Sequence, residues 1–490
     1  MIRSLPPVAV YAAAALAGLL LGGCDRRGDS GAVIASAIGG TPALVDPNVD
    51  TLDPVGRAML DSTAQGLVRF DANGQIEPGL AERWIVIDDG MSYIFRLRPA
   101  QWSDGAPVTA DQVVAGLRRA ITARSRNVMT PYLTAVDEIV EMTPEVIEVR
   151  LGRPRPDLLK LFAQPDMGIV DGRRAQGSGP FRIVSSRRDT VLLRPARDPD
   201  DPSAHRSTPQ DDVLLIGERA ARAIVRFTAH DSDLVSGGTF VDWPILAAAQ
   251  VAPANIRIDP AVGLFGLAVV RREGLLADAA GRGAIAQGID RAALVSAFAP
   301  GWTPTETILP EQLDSAAAPA VPDWAAAPLD QRQATARTAV AAWRAAHTGA
   351  PVRLRITLPV GPGSTVLFGY LAGSLRAIGV DAVRVASAQD ADLVLVDAVA
   401  PFDSARWYLA SACVVCGVEA MMASDAARVA PTLAERGARI ADTDRLLTQD
   451  AAFIPIARPL RWSLVALRLA QWQGNSRAWH PLNRLRTETK

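Results

Sequence analysis

Alternating apolar and polar residues mark the strands of this chain, and apolar residues spaced three or four positions apart mark its helices. Apolar side chains alternate over 93–97, directly after the turn residues Asp88-Asp89-Gly90, which predicts a hairpin with a half-buried strand. Thr109 and Gln112 have the spacing of a capping box, and apolar residues follow on one face over 113–120. This pattern predicts a helix that begins after Thr109.

The same two periodicities continue along the chain. Further strands are predicted at 147–151, 181–184, 190–193, 213–216, 352–358, 393–396 and 453–456. Further helices are predicted at 282–298, 330–346, 366–378 and 433–447. Strands that alternate with helices are typical of α/β domains, so we expect an α/β fold.

Composition and charge narrow the function classes. Of the residues of this chain, 49% are hydrophobic and 21% charged, so it is expected to fold. Its length of 490 residues predicts two or three domains. Its 51 Lys and Arg residues balance 52 Asp and Glu residues, which argues against a nucleic-acid partner. The sequence holds no phosphate-binding loop, no nucleophile elbow and no paired-histidine zinc motif. We therefore predict no catalysis, no cofactor and no metal.

The N-terminus is typical of an exported lipoprotein. Residues 8–23 are apolar, and this stretch of 16 residues is shorter than the roughly 20 that a spanning helix needs. It ends in Leu21-Gly22-Gly23-Cys24, which matches a bacterial lipobox. We predict that residues 1–23 are a signal peptide, that Cys24 is lipidated and that 24–40 form a flexible tether. A plain signal peptide with an incidental cysteine is the alternative.

A set of short motifs carries a family resemblance. The motifs, in chain order, are 51–54 (TLDP), 65–68 (QGLV), 77–84 (EPGLAERW), 95–98 (FRLR), 102–110 (WSDGAPVTA), 177–181 (GSGPF) and 450–456 (DAAFIPI). Their text and order resemble the family 5 extracellular solute-binding proteins, the peptide- and nickel-binding receptors of ABC importers. Asp25 also resembles the signal that keeps a lipoprotein on the inner membrane. The predicted location is thus the periplasmic face of that membrane.

The resemblance implies a two-lobed periplasmic-binding-protein fold, of the large cluster-C type, that closes on a ligand. By analogy, lobe I comprises about 41–57, 175–262 and 463–490. An extra domain at about 58–174 is inserted into it, and lobe II comprises about 263–462. The ligand is expected between the two lobes.

The family alignment also suggests candidate ligand contacts. The acidic position that pairs with a peptide's amino terminus falls on Val399 here, so Asp397 or Asp403 is the candidate to replace it. Trp407 and Tyr408 follow, either as a stacking wall or as core.

Candidates outside this loop come from three other regions. Val55, Gly56 and Arg57 follow a motif that presents backbone to ligands in peptide receptors, and Arg57 is expected either to pair with a carboxylate or to be solvated. Tyr132 of the insert and Phe265 at the start of lobe II are further candidates for the cleft.

Cys413 and Cys416 are the only cysteines after Cys24. In an oxidising compartment a disulfide between them is the favoured interpretation. Two buried thiols, a metal site and a thioredoxin-like redox pair remain as alternatives.

The leading function is a lipid-anchored receptor that captures a peptide or another small solute and delivers it to an ABC permease. We expect a monomer. A binding or sensor protein without transport is the alternative, because lobe II is shortened and the expected acidic residue is missing. An enzyme is the least favoured reading.

Overall fold

The computed structural model describes residues 31–171, 176–196, 207–347 and 349–486. The predicted signal peptide and the lipidated Cys24 lie outside these residues. The strands are β1 (Val33–Ile38), β2 (Val68–Phe70), β3 (Ile76–Pro78), β4 (Ala81–Ile87), β5 (Ser92–Leu97), β6 (Val136–Thr143), β7 (Val146–Leu151), β8 (Val170–Asp171), β9 (Gln176–Gly177), β10 (Phe181–Arg187), β11 (Thr190–Pro195), β12 (Val213–Glu218), β13 (Leu234–Thr239), β14 (Ile256–Ile258), β15 (Gly263–Val269), β16 (Val352–Thr357), β17 (Val380–Val385), β18 (Leu393–Val399), β19 (Phe453–Ala457) and β20 (Arg461–Val465).

The α-helices alternate with these strands. They are α1 (Pro54–Thr63), α2 (Ala110–Ile121), α3 (Leu158–Phe162), α4 (Ala220–Thr228), α5 (Trp243–Ala248), α6 (Ala279–Gly288), α7 (Arg291–Ser296), α8 (Leu329–Ala346), α9 (Pro362–Ala377), α10 (Ala405–Ala412), α11 (Val418–Val429) and α12 (Leu433–Asp450). No helix in the described ranges combines the length and the apolar character needed to cross a bilayer.

A seven-stranded sheet forms the first lobe, in the order β10-β11-β12-β1-β13-β20-β14. Its centre corrects the sequence analysis, because β1 lies within the segment 24–40 that was predicted to be a tether. β1 runs parallel to both β12 and β13, and its residues Val33, Ala35 and Ala37 are buried. Ser36, also buried, donates a hydrogen bond to Glu218 Oε1 at 2.6 Å. The polar residues of 25–31 suggested a linker, whereas the apolar residues that follow them form a central strand of the sheet.

The second lobe is built on a five-stranded sheet, in the order β17-β16-β18-β15-β19. The single helix predicted over 282–298 is wrong here, because the structure divides it into α6 and α7. Ile289 is extended, and the Asp290 side chain accepts a hydrogen bond from the Ala293 backbone N–H. Asp290 therefore caps a new helix and ends the earlier one.

A third sheet has four antiparallel strands, in the order β4-β5-β7-β6. Its strands lie in the chain between β1 and β10 of the seven-stranded sheet. The predicted hairpin is confirmed, since residues 88–90 connect β4 to β5. The predicted capping box is confirmed as well: Gln112 Oε1 accepts from the Thr109 backbone N–H at the start of α2.

The chain crosses between the two large sheets twice, from β14 to β15 and from β19 to β20. The α/β, two-lobed architecture inferred from the family resemblance is thus confirmed. The boundaries proposed for lobe I, the insert and lobe II remain a prediction. Buried apolar residues pack continuously from the four-stranded sheet to the segment 400–453, so these two parts are in contact.

Candidate functional site

The turn 400–404 after β18 is the place where the second lobe meets the inserted region. Phe402 is fully buried, and its ring stacks edge-on against Tyr132 with the centroids 5.3 Å apart. The guanidinium of Arg155 lies 5.6 Å from the centre of the same ring. The structure therefore brings the candidate Tyr132 to the boundary between the insert and lobe II.

Asp403, in the same turn, contacts two other regions of the chain. Its carboxylate accepts hydrogen bonds from Lys160 in α3 and from Arg477 near the C-terminus. Burial alone raises the pKa of Asp403, but the two cations together outweigh burial and hold that pKa below its usual value. In this arrangement Asp403 already has two cationic partners of its own.

Asp397 also has an internal partner. Arg461 Nη1 lies 2.8 Å and 3.1 Å from its two carboxylate oxygens. Burial raises the pKa of Asp397, and the Arg461 guanidinium opposes that shift. Both candidates for the missing acidic position therefore form ion pairs within the protein.

Val55, Gly56 and Arg57 lie in the first turn of α1. The Asp53 side chain caps the helix, because its Oδ1 accepts a hydrogen bond from the Gly56 N–H at 2.6 Å. The Val55 side chain is fully buried in the core of lobe I. Arg57 Nε lies 3.0 Å from Asp166 Oδ2. Arg57 is thus paired with a carboxylate of the protein itself, while its side chain remains 35% exposed.

Three aromatic candidates are core residues in the structure. Tyr408 and Trp407 are buried in α10, with their ring centroids 5.0 Å apart. Phe265 is fully buried in β15 and stacks edge-on against Trp302. Of the two alternatives for Trp407 and Tyr408, a stacking wall or core, their burial in α10 favours core packing.

Cys413 and Cys416 are joined by a disulfide, with their Cα atoms 5.2 Å apart. The bridge lies directly after α10 and before α11. Among the described residues, no three His, Cys, Asp or Glu side chains group closely enough to hold a metal ion.

Sequence reasoning missed a group of arginines at the boundary between the insert and lobe II. They surround a small cavity lined by Tyr132, Thr134, Ala135, Arg153, Pro154, Arg155, Arg406, Arg428, Ala430 and Arg436. The Arg-Pro-Arg triplet at 153–155 was the only local signal. The remaining arginines come from three separate positions that only the tertiary fold brings together.

A second depression lies within lobe II. It is an open groove of about 470 Å³ between α7, α8 and α9, and its lining includes Val366, Tyr370 and Ala377. All its lining residues belong to 290–377, so this groove is not between the lobes.

A family profile described as "Bacterial extracellular solute-binding proteins, family 5 Middle" matches residues 75–394. Pairwise sequence matches are shorter. The protein described as "Probable deoxycholate-binding periplasmic protein YgiS" of Escherichia coli is 40% identical over 93 residues, which cover 19% of this chain and 17% of that protein. The glutathione-binding protein GsiB of Salmonella typhi is 26% identical over 176 residues, covering 31% of this chain and 34% of GsiB. The chain thus spans about a third or less of the length of these relatives.

Solved structures match over nearly the whole chain. Haemophilus influenzae OppA, in complex with the peptide RPPGFSPFR, aligns with a TM-score of 0.75 at 16% identity, covering 93% of this chain and 99% of that one. The murein tripeptide binding protein MppA of Escherichia coli aligns with a TM-score of 0.77 at 17% identity, covering 94% and 98%. At this identity, the likeness shows the fold alone.

Proposed function

Because this chain belongs to the bacterial extracellular solute-binding proteins of family 5, we propose that it captures a peptide or peptide-like solute between its two lobes and delivers it to an ABC permease. Binding, rather than catalysis, is the activity of the matched family. Lipid chains on Cys24 hold the protein at the periplasmic face of the inner membrane in this proposal.

The observation that carries the proposal is the convergence of three chain regions on the turn 400–404. Lys160 of the insert region and Arg477 of the C-terminal segment both bind Asp403 of the second lobe. Gln164 donates to the Pro401 carbonyl in the same turn. Polar and charged contacts of this kind can be replaced by water when two lobes separate, whereas the apolar contact between the insert and 400–453 favours the closed state.

The ligands named for similar proteins support a peptide-like solute. OppA of Haemophilus influenzae was solved with a nine-residue peptide, MppA is described as binding murein tripeptide, and GsiB as binding glutathione. Deoxycholate, in the description of another relative, is not a peptide. Peptides are therefore the favoured class of ligand, and other small organic solutes are the second choice.

A second function, binding or sensing without transport, is favoured by a specific observation. By the family resemblance, Val399 falls where peptide receptors carry an acid, and the neighbouring acids Asp397 and Asp403 are already paired. A protein that keeps the fold with an altered pocket would have these features.

Native mass spectrometry tests whether the protein captures a solute. The protein, produced in the periplasm from Asp25 onwards and never denatured, is expected to retain a small molecule that leaves on mild activation. A bare protein mass, together with no mass shift after incubation with a mixed peptide panel, would contradict capture and leave a scaffold without a working pocket as the better account.

A further inference from the structure

The arginines around the cavity between the insert and lobe II carry more positive charge than the neighbouring acids balance. Five arginines line this cavity: Arg153, Arg155, Arg406, Arg428 and Arg436. Three carboxylates lie close to them, from Asp157, Asp314 and Asp425. Two positive charges are therefore left without a carboxylate.

The three carboxylates differ in how well they neutralise their partners. Asp314 accepts a hydrogen bond from Arg436 and is a close partner. Asp157 lies 3.8 Å from Arg155 Nη1, too far for a hydrogen bond. Asp425 lies 3.4 Å from Arg428, and its side chain is exposed, so solvent screens this pair.

Arg155 and Arg406 have buried donor atoms without acceptors. Nε and Nη2 of Arg155 and Nε of Arg406 are inaccessible to solvent and form no hydrogen bond with any residue in the described ranges. No carboxylate of the described residues lies within ion-pair distance of Arg406. Burial and the charges of Arg155, Arg436 and Arg428 lower the pKa of Arg406 to about 10, so the group remains positively charged at neutral pH.

An unpaired guanidinium is costly to bury, and its buried donors cost further free energy when they lack acceptors. An oxyanion corrects both deficits at once, because a carboxylate or phosphate supplies negative charge and several acceptor atoms. The planar fork of arginine matches these groups through paired hydrogen bonds.

We propose that this cavity binds a carboxylate or phosphate group of the captured solute, so that the solute of this protein is an anion. The inference rests on the proposed function and names the chemical class of its solute. It requires lobe opening: the cavity now has about 10 Å³ of free space, room for about one water molecule. Because Arg155 belongs to the insert region and Arg406 to the second lobe, separating these parts admits the anionic group, and closing them surrounds it.

Thermal unfolding with matched probes tests the proposal. The dialysed protein is heated with succinate, with inorganic phosphate or with succinamide, which has the shape of succinate without its charge. Sodium chloride equalises the ionic strength. At saturation we expect succinate or phosphate to raise the unfolding midpoint by roughly 2–4 °C, and succinamide to leave it unchanged. A rise with succinate alone indicates a carboxylate site, and a rise with phosphate alone indicates a phosphate site.

Variants locate the effect. Arg406→Met is expected to abolish the response to the anion, and without anion to unfold at the same temperature as the parent or higher, because it removes an unpaired charge. Arg406→Lys keeps the charge and is expected to retain part of the response. Arg222→Met is the matched control, because Arg222 is 72% exposed on α4 and pairs with Glu218. Its response to the anion is expected to equal that of the parent.

Three results would overturn the proposal: an equal effect of succinamide, a full response in Arg406→Met, or no effect of any anion. The fate of the proposed function is read separately by native mass spectrometry. A retained neutral ligand together with no anion response would end the anion inference and keep the capture function. No retained ligand and no anion response would end both.

Discussion

Asp397 and Arg461 link the two large sheets through a double hydrogen bond, with Arg461 Nη1 2.8 Å and 3.1 Å from the two carboxylate oxygens. Asp397 lies in β18 of the second lobe, and Arg461 begins β20 of the first. Both side chains are largely buried. The chain crosses between the lobes immediately before Arg461, so this pair fastens the lobes beside a crossover.

Loss of Arg461 is expected to destabilise the protein strongly. Arg461→Met leaves the buried Asp397 carboxylate without its counter-charge, which typically costs about 3–5 kcal/mol in the free energy of unfolding. Urea unfolding measures this change. The matched control is Arg484→Met, since Arg484 is 44% exposed where it pairs with Glu77, and such a pair contributes about 1 kcal/mol or less. Equal losses in the two variants would show that the Asp397 pair has no special role.

Asp444 is expected to make stability depend on pH. Its side chain is 2% exposed, Oδ2 accepts the Ala320 N–H, and burial raises its pKa from 3.8 to about 6. The folded protein therefore binds a proton more tightly than the unfolded chain. The contribution of Asp444 to stability is largest below pH 4 and is lost as the pH rises through 6.

Asp444→Asn removes this dependence. The variant is expected to unfold with the same free energy as the parent at pH 4, and with up to about 3 kcal/mol more at pH 7.5, since one pKa unit corresponds to about 1.4 kcal/mol. Urea midpoints at pH 4, 5, 6 and 7.5 measure the difference. A difference that stays constant across this range would contradict the assignment.

The Cys413–Cys416 bridge closes a short loop, so its expected stabilisation is small. A loop of four residues gives roughly 2 kcal/mol in the chain-entropy model. The double variant with serine at both positions is expected to lose about that much, and reductant is expected to reproduce the loss in the parent. Alkylation of periplasmic protein without reductant should label neither cysteine. Labelling of both would show that the thiols are free.

Cys24 is expected to determine where the protein is found in the cell. Its lipid chains would bury many CH₂ groups, each contributing about 0.8 kcal/mol to membrane binding. Cell fractionation should recover the parent protein with the inner membrane. A variant with a cleavable plain signal peptide, which lacks Cys24, should appear in the soluble periplasm. Equal recovery of both forms in the soluble fraction would rule out the anchor.

The sequence predicts local structure well wherever residues within a single helix or strand determine that structure. Thr109 and Gln112 lie within one turn of each other, so their capping box could be recognised directly. Strand β1 was missed because the polar residues directly before it resemble a linker, and because its burial depends on β12 and β13, which lie about 180 residues or more away in the chain.

The candidate site was harder to predict, because its members meet only in the tertiary structure. Trp407 and Tyr408 suit a pocket wall and a core equally well by residue type, and only the orientation of α10 assigns them to the core. Arg155 and Arg406 are far apart in the chain, and neither has a local motif that predicts the cavity they share.

The central claim is that two lobes close around a solute, and small-angle X-ray scattering tests it directly. The protein as isolated from the periplasm is compared with the same protein after its retained solute has been removed by dialysis. We predict a larger radius of gyration for the solute-free protein, and a return to the smaller value when the solute is added back. An identical radius of gyration in all three samples would contradict closure around a solute.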